Sequence, residues 1–453
     1  MRSEQRVILR HSLTILWGQW AVMLFGIVDA VAAGHYDTTA LAGLAVGSSV
    51  YITVYVVMMA ILQALLPLFS EQVGAQQPRR VGHLFRQSLA IWALVSLIGS
   101  SLLHHPEPLL AFTQTPTDAQ LHASEYLAIM AWTLPAVLLF RIYASLSQSI
   151  GYPQLVSWIQ MAGLGLKLPL AFGLTFGLWG FPEWGLSGCA LSTLIIQWGM
   201  AITALWRLRQ HPLFKPFQLW RAEWRLDPKT LFSILRLGVP NGITSGVEVT
   251  SFTLMALFIA RLGAGATASH QVAASLAAFL FMVPMAFSIA TSARLSYWIG
   301  AGQKHNAWES VKAGYTWVIS LGLVAATLLA LLHHEIARLF STEPQVIEMA
   351  GGLLVLVALY HLGDGLQVMG YFLLRSLKIT LLPMVIYVTL LWGLGLWGGH
   401  RLAYGGLGLA PLHHPQAFWI SSAMAVMISG LALGLILRRV FHDSTQWKAQ
   451  GKA

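Results

Sequence analysis

The chain reads as an all-α integral membrane protein: twelve transmembrane helices in two six-helix bundles related by a pseudo-two-fold axis. Three observations carry that reading. Of 453 residues, 56% are hydrophobic and 10% charged, against about 25% charged in ordinary soluble domains. The apolar residues gather into twelve runs, each near the roughly 20 residues that cross a hydrocarbon core. The segments between those runs carry Lys and Arg almost entirely on alternate connections. The composition excludes a soluble enzyme, a nucleic-acid module and a disordered scaffold. Cys189 is the one cysteine, so neither an internal disulfide nor a metal framework is expected. Residues 1–10 are basic, but the apolar stretch behind them is span-length and has no convincing cleavage site, so no removable signal is expected.

The spans follow in order. Arg2, Arg6 and Arg10 precede span 1 (11–33), and a short loop leads to span 2 (41–69). Arg79, Arg80 and Arg86 mark the connection to span 3 (84–103); Arg141 closes span 4 (121–143) before spans 5 (154–179) and 6 (186–206). Six basic residues between 207 and 229 precede span 7 (231–260), and Arg236 lies in its first two turns. Arg294, Lys304 and Lys312 separate span 8 (267–293) from span 9 (313–333), and Arg375 and Lys378 separate span 10 (346–374) from span 11 (380–399). Arg438, Arg439, Lys448 and Lys452 follow span 12 (416–437). In all, 23 of 27 Lys and Arg fall on one side. That bias places both termini and the basic loops in the cytoplasm, and a bacterial inner membrane is the expected location. The long continuous runs favour helices over barrel strands, whose hydropathy alternates.

A shift of 226 residues superimposes the chain on itself. Between 37–77 and 263–303, twelve of 41 positions are identical, among them Ser49/Ser275, Met59/Met285, Ser70/Ser296 and Gly74/Gly300. Both halves start on the same side with six spans, so the repeat is parallel, with its axis along the membrane normal. The expected domains are residues 1–206 and 230–453. A cytoplasmic amphipathic linker, 207–229, joins them; it interleaves Phe214, Phe217, Trp220 and Trp224 with Lys215, Arg221 and Arg225.

Four ionisable residues lie deep within spans: Asp29, Lys167, Glu248 and Asp364. Such groups are costly in hydrocarbon and mark functional sites. A carboxylate there needs a cation, a proton or a hydrogen-bond partner. Lys167 needs an acid, and Asp29 is the one deep acid in its half, so the two are expected to pair and to fill a space where a mobile cation could bind. His361, three residues before Asp364, reads as a core histidine. The pairs His104–His105, His333–His334 and His413–His414 fall in outer loops without metal-ligand spacing. Prolines 67, 135, 169, 240, 284 and 383 are expected to bend their spans. Met282 and Met285, with flexible side chains, and Gln367 are candidates for a substrate cavity. No GxxxxGK[ST] segment is present, so no nucleotide site is expected.

At these positions the chain resembles the multidrug and toxic compound extrusion (MATE) family, in its NorM-like branch, over nearly its whole length. The resemblance rests on VDAVAAGHYDTTALAGLAVGSS (28–49), LLPLFSEQVGA (65–75), FPEWGLSGC (181–189), GVPNG (238–242), GVEV (246–249), HQVA (270–273), FMVPMA (281–286), GDGLQ (363–367) and LLRS (373–376). It implies a secondary active exporter of small organic cations and drugs, coupled to Na+ or H+, with no cofactor, no enzymatic activity and no nucleic-acid partner. A monomer in the bilayer is expected. The resemblance places a cation-coupling site at Glu248 and Asp364 with Tyr360 and Phe252, and Na+, if bound, at the two carboxylates. It places a first-half acidic site at Asp29. The segment KLPLA (167–171) departs from the family, which usually shows asparagines around the proline. Two other transporters remain open: a lipid-linked sugar flippase of the same superfamily, which predicts a broad basic cavity, and a major-facilitator-type drug pump, whose loop 2–3 motif is missing from EQVGAQQPRRVGH (71–83). A membrane enzyme using Asp364 and His361 would need a further nucleophile or metal cluster near them.

Overall fold

The computed structural model describes residues 2–110, 117–220, 225–406, 408 and 410–443. Among them, twelve helices are long and apolar enough to cross a membrane: α1 Ser3–Tyr36, α2 Thr38–Gly74, α3 Pro78–His104, α4 Asp118–Ser149, α5 Gln154–Phe176, α6 Gly185–Gln210, α7 Pro228–Ala260, α8 Ala264–Gly300, α9 Lys304–Phe340, α10 Pro344–Ser376, α11 Leu381–Tyr404 and α12 Gln416–His442. Every expected span falls on one of these helices. Most helices outrun their spans, because hydropathy registers only the apolar stretch whereas helical hydrogen bonding continues into the polar ends. Span 5 is the exception. Its helix stops at Phe176, where Gly177 adopts φ 68° and ends the helix in a left-handed turn. Arg221 and Trp224 of the linker, and Lys448 and Lys452 near the C-terminus, lie outside the described residues.

Local chemistry sets the boundaries. The Asp37 carboxylate accepts hydrogen bonds from the backbone N–H groups of Thr39 at 2.8 Å and Ala40 at 3.0 Å, capping α2. These backbone donors hold the Asp37 carboxyl below the usual carboxylate range. Asp227 caps α7 in the same way, accepting from Lys229 N at 3.1 Å and the Thr230 hydroxyl at 2.6 Å. Pro228 follows it at the first helical position, where a missing N–H costs nothing. Pro67 cannot donate to the carbonyl four residues back, and α2 is interrupted at Ala64, between Thr38–Gln63 and Leu65–Gly74. Within α11, residues Thr389–Gly398 widen into a π-helical stretch.

The helices gather into two packing units: Thr14–Gly242, and Ile243–Ala453 together with Met1–Leu13. In the first, α4 is central and packs against α2, α3 and α6. Phe69, Phe85, Leu134 and Tyr143 fill its core. In the second, α10 is central and packs against α8, α9 and α12. Leu353, Val357, Phe418 and Trp419 are buried there. The 226-residue offset holds at the level of helices. It carries Thr38–Gly74 onto Ala264–Gly300, and the start of α4 onto the start of α10.

The packing units depart from the sequence boundaries in two places. Residues 207–220 and 225–242 pack with the first unit: Arg86 donates to the Gln218 carbonyl at 3.2 Å, and Gln87 donates to the Arg225 carbonyl at 2.7 Å. The first turns of α1 pack with the second unit through Glu4. Its carboxylate accepts from Arg294 at 2.5 and 3.1 Å and from the Ser310 hydroxyl at 3.1 Å. Large apolar side chains such as Leu97, Trp132, Trp158, Leu331 and Leu339 face outward. That surface suits hydrocarbon, and the chain is a multi-pass membrane protein.

Candidate functional site

In the first unit, α1, α5 and α6 bring Asp29, Lys167 and two hydroxyl side chains together. Pro169 and Gly163 lie within a turn or so of Lys167, on a helix that is otherwise apolar. The Lys167 ammonium is fully buried and donates to Asp29 Oδ1 at 2.6 Å, Thr193 Oγ1 at 2.6 Å, Ser192 Oγ at 2.7 Å and the Cys189 carbonyl at 3.1 Å. Thr193 Oγ1 also donates to Asp29 Oδ2 at 3.2 Å. The expected pairing of Lys167 with Asp29 is therefore present. Ser192 and Thr193 are additions that an LST segment in an apolar span could have signalled.

In the second unit, α7 carries Glu248 and Phe252 one turn apart, and α10 carries Tyr360 and Asp364 one turn apart. Asp364 is 3% exposed, and its electrostatic neighbour is another carboxylate, Glu248. Glu248 accepts a hydrogen bond from the Tyr387 hydroxyl of α11. Tyr360 lies within the field of both acids. Among the described residues, neither Glu248 nor Asp364 forms an ion pair. The four residues expected at a coupling site thus share one region.

An aromatic box borders the acids. Phe252 and Tyr360 meet edge to face at 6.0 Å, and Trp419 of α12 packs on Tyr360 at 5.6 Å and on Phe252 at 6.4 Å. A cavity of about 20 Å³ opens beside them, bounded also by Met255, Ser251 and Ser422, enough for about one water-sized occupant. Next to Glu248, Tyr387 approaches Tyr371 at 6.0 Å, and the Tyr371 hydroxyl donates to Thr244 Oγ1 at 3.2 Å. Tyr387 and Trp419 carry no sequence signal, because an aromatic residue in a span reads as ordinary apolar mass.

Met282 and Met285 are half-buried on α8 and do not border this cavity; Met255 does. Gln367 is fully buried at the crossing of α10 with α12, where a Cβ on Gly430 would stand 2.8 Å from its backbone N. Gln367 is one turn beyond Asp364, on a face that the α12 backbone covers.

A larger cleft, about 470 Å³, lies in the first unit where α1, α2 and α4 meet the α5–α6 connection. Asp37, Glu125 and Glu183 line it together with Tyr36 and Trp184, a lining that attracts cations through charge and aromatic faces.

The family model MatE matches residues 15–172 and 240–398, more than half of the chain. A protein of Aromatoleum aromaticum described as "Probable multidrug resistance protein NorM" is 33% identical over 438 residues, covering 96% of this chain and 94% of that protein. Among solved structures, the eukaryotic MATE transporter AtDTX14 superimposes with a TM-score of 0.87 at 16% identity, covering 99% of this chain and 98% of that one. The Vibrio cholerae MATE transporter VcmN gives 0.87 at 16% identity, with 98% and 99% covered. At those identities the structural likeness speaks for the fold.

Proposed function

The chain belongs to the NorM-like branch of the MATE family, and on that premise we propose that it exports amphipathic organic cations by antiport against Na+ or H+. It is a transporter and not an enzyme. The observation that carries the coupling is the pair Glu248 and Asp364: a half-buried and a buried carboxyl group, each other's electrostatic neighbours, the first of them held by a neutral tyrosine hydroxyl. Two like charges in a low-dielectric interior cannot both stay ionised without a compensating cation. The pair therefore takes up a proton or a metal ion and releases it when the surroundings change. Tyr387 orients Glu248, and Tyr360 with Phe252 and Trp419 puts apolar ring surface beside the acids, which lowers the local dielectric and strengthens their attraction for a cation.

An amphipathic organic cation competes for the same negative field and adds contacts with aromatic faces. Mutually exclusive occupancy of one charged region by coupling ion and drug is what antiport requires. The protein works as a multi-pass protein of the bacterial inner membrane, with both termini in the cytoplasm, as its basic residues orient it.

The test uses purified protein in proteoliposomes. Glu248→Gln and Asp364→Asn each abolish gradient-driven drug transport while the protein still elutes as a folded species; wild-type rates in both variants refute the assignment. Drug-stimulated uptake of labelled sodium at constant pH separates the two ions: uptake assigns Na+, and its absence with drug-stimulated proton flux assigns H+.

A further inference from the structure

We propose that the first six-helix bundle carries its cation permanently, as the Lys167 ammonium, seated in a four-oxygen cage that is itself a binding site for one primary ammonium ion. A lysine ammonium has three N–H donors. Here it faces four oxygens, at 2.6, 2.6, 2.7 and 3.1 Å, drawn from α1 and α6. The oxygens outnumber what the lysine can satisfy singly, and they surround the nitrogen as ligands surround a bound ion.

The cage is held by bonds of its own, independent of the lysine. Thr193 Oγ1 reaches Asp29 Oδ2 at 3.2 Å and the Cys189 carbonyl at 3.2 Å, and Ser192 Oγ donates to that carbonyl at 2.7 Å. Asp29 supplies one negative charge and Lys167 one positive charge, so the occupied cage is neutral. The methylene stem of Lys167 serves as a tether: it delivers an ammonium to oxygens that would otherwise hold a free one. A second cation would meet no uncompensated charge there. The exchangeable ion of the transport cycle then belongs to Glu248 and Asp364 alone. That last step rests on the coupling proposed above; the cage does not.

The experiment removes the tether and returns the ion. Lys167→Ala deletes the atoms from Cγ to Nζ, a fragment that n-propylammonium restores. A ligand that binds only the folded state raises the melting temperature with its concentration. Melting of the detergent-purified full chain is measured in n-propylammonium chloride and in equal NaCl. Lys167→Ala should gain about 2 °C or more, while wild type and the double variant Lys167→Ala/Asp29→Asn should not respond. Tetramethylammonium, which has no N–H donor, should give no gain. If Lys167→Ala is recovered only as aggregate, purification in n-propylammonium should restore a monodisperse species. No response of Lys167→Ala, failure of that recovery, or an equal response in wild type or the double variant overturns the proposal. Adding Glu248→Gln to Lys167→Ala should leave the response intact, so a failed coupling site and a failed cage give different results.

Discussion

Adding one methyl group at Gly363 should loosen the second unit and disturb Asp364 together. The central helix α10 and its neighbour α12 touch through backbone. A Cβ built on Gly363 would stand 2.7 Å from the backbone N of Met427 and 2.9 Å from its Cα. A Cβ on Gly430 would stand 2.7 Å from Leu366 Cβ and 3.0 Å from the Gly363 carbonyl. Ordinary contact begins at 3.4 Å, so either alanine must push the helices apart by about 0.7 Å. The atoms met are backbone or close to it and cannot swing aside. Overpacking of this kind costs about 1–3 kcal/mol, a fall of several degrees in melting temperature. Asp364 is the next residue, and charged sites tolerate displacements of about 0.5 Å before they lose their geometry. Gly363→Ala should therefore lower drug transport several-fold even at a temperature where the protein is fully folded. Gly165→Ala and Gly199→Ala are the controls: both lie in helices, with nothing within 4 Å of the added carbon. They should be neutral or gain up to about 1 kcal/mol, since alanine is the better helix former. Melting curves of the four variants, followed by transport at one temperature, decide the matter. Gly363→Ala and Gly430→Ala melting within a degree of the two controls would refute the reasoning.

Two further outcomes are expected. Lys167→Ala leaves Asp29 buried without its cation, an imbalance that costs about 3–5 kcal/mol; Lys167→Asn combined with Asp29→Asn should melt well above it, and simple additivity in that cycle would deny the pairing. At the linker, the Thr230 hydroxyl and the His83 ring hold the Asp227 carboxyl down to about 2. Its folded value lies below the unfolded one, so the ionised cap stabilises the start of α7 above the usual carboxylate range, and that contribution fades as pH falls toward 2. At neutral pH, Asp227→Ala, which removes the accepting oxygens, should speed amide hydrogen exchange in the first turn of α7 and protease cleavage of the linker; unchanged rates for both would mean the cap does not hold the turn.

The spans were legible because a hydrocarbon solvent imposes one coarse rule on every helix that crosses it. The repeat was legible to the residue, since Thr38–Gly74 and Ala264–Gly300 differ by 226 at both ends. What the sequence does not contain is rotation. It gives depth along each helix and leaves open which neighbour a side chain faces. Gln367 and Asp364 are one turn apart, yet one lies under the α12 backbone and the other faces a carboxylate. Tyr387 and Trp419 count as apolar in any hydropathy reading, and only the packed helices reveal what they hold. Glu4 was hidden for the opposite reason: in a basic N-terminal stretch it looks like a solvated charge, whereas it accepts two hydrogen bonds from Arg294.

The pairing of Asp29 with Lys167 was legible by elimination, since a buried lysine needs an acid and its half offers one deep candidate. The same argument exposes how the duplicated halves differ. The first places its deep acid against a lysine whose tether cannot leave. The second places two acids against each other and a tyrosine. A duplicated fold need not duplicate a site: one compensating lysine makes an acidic pocket permanently neutral. On the coupling proposed above, a mobile cation balances the two acids of the other half, and the free energy available to move an ion is concentrated on α7 and α10. Substitutions near Glu248 and Asp364 should alter which ion is used, whereas those around Asp29 should alter chiefly how well the first bundle holds together.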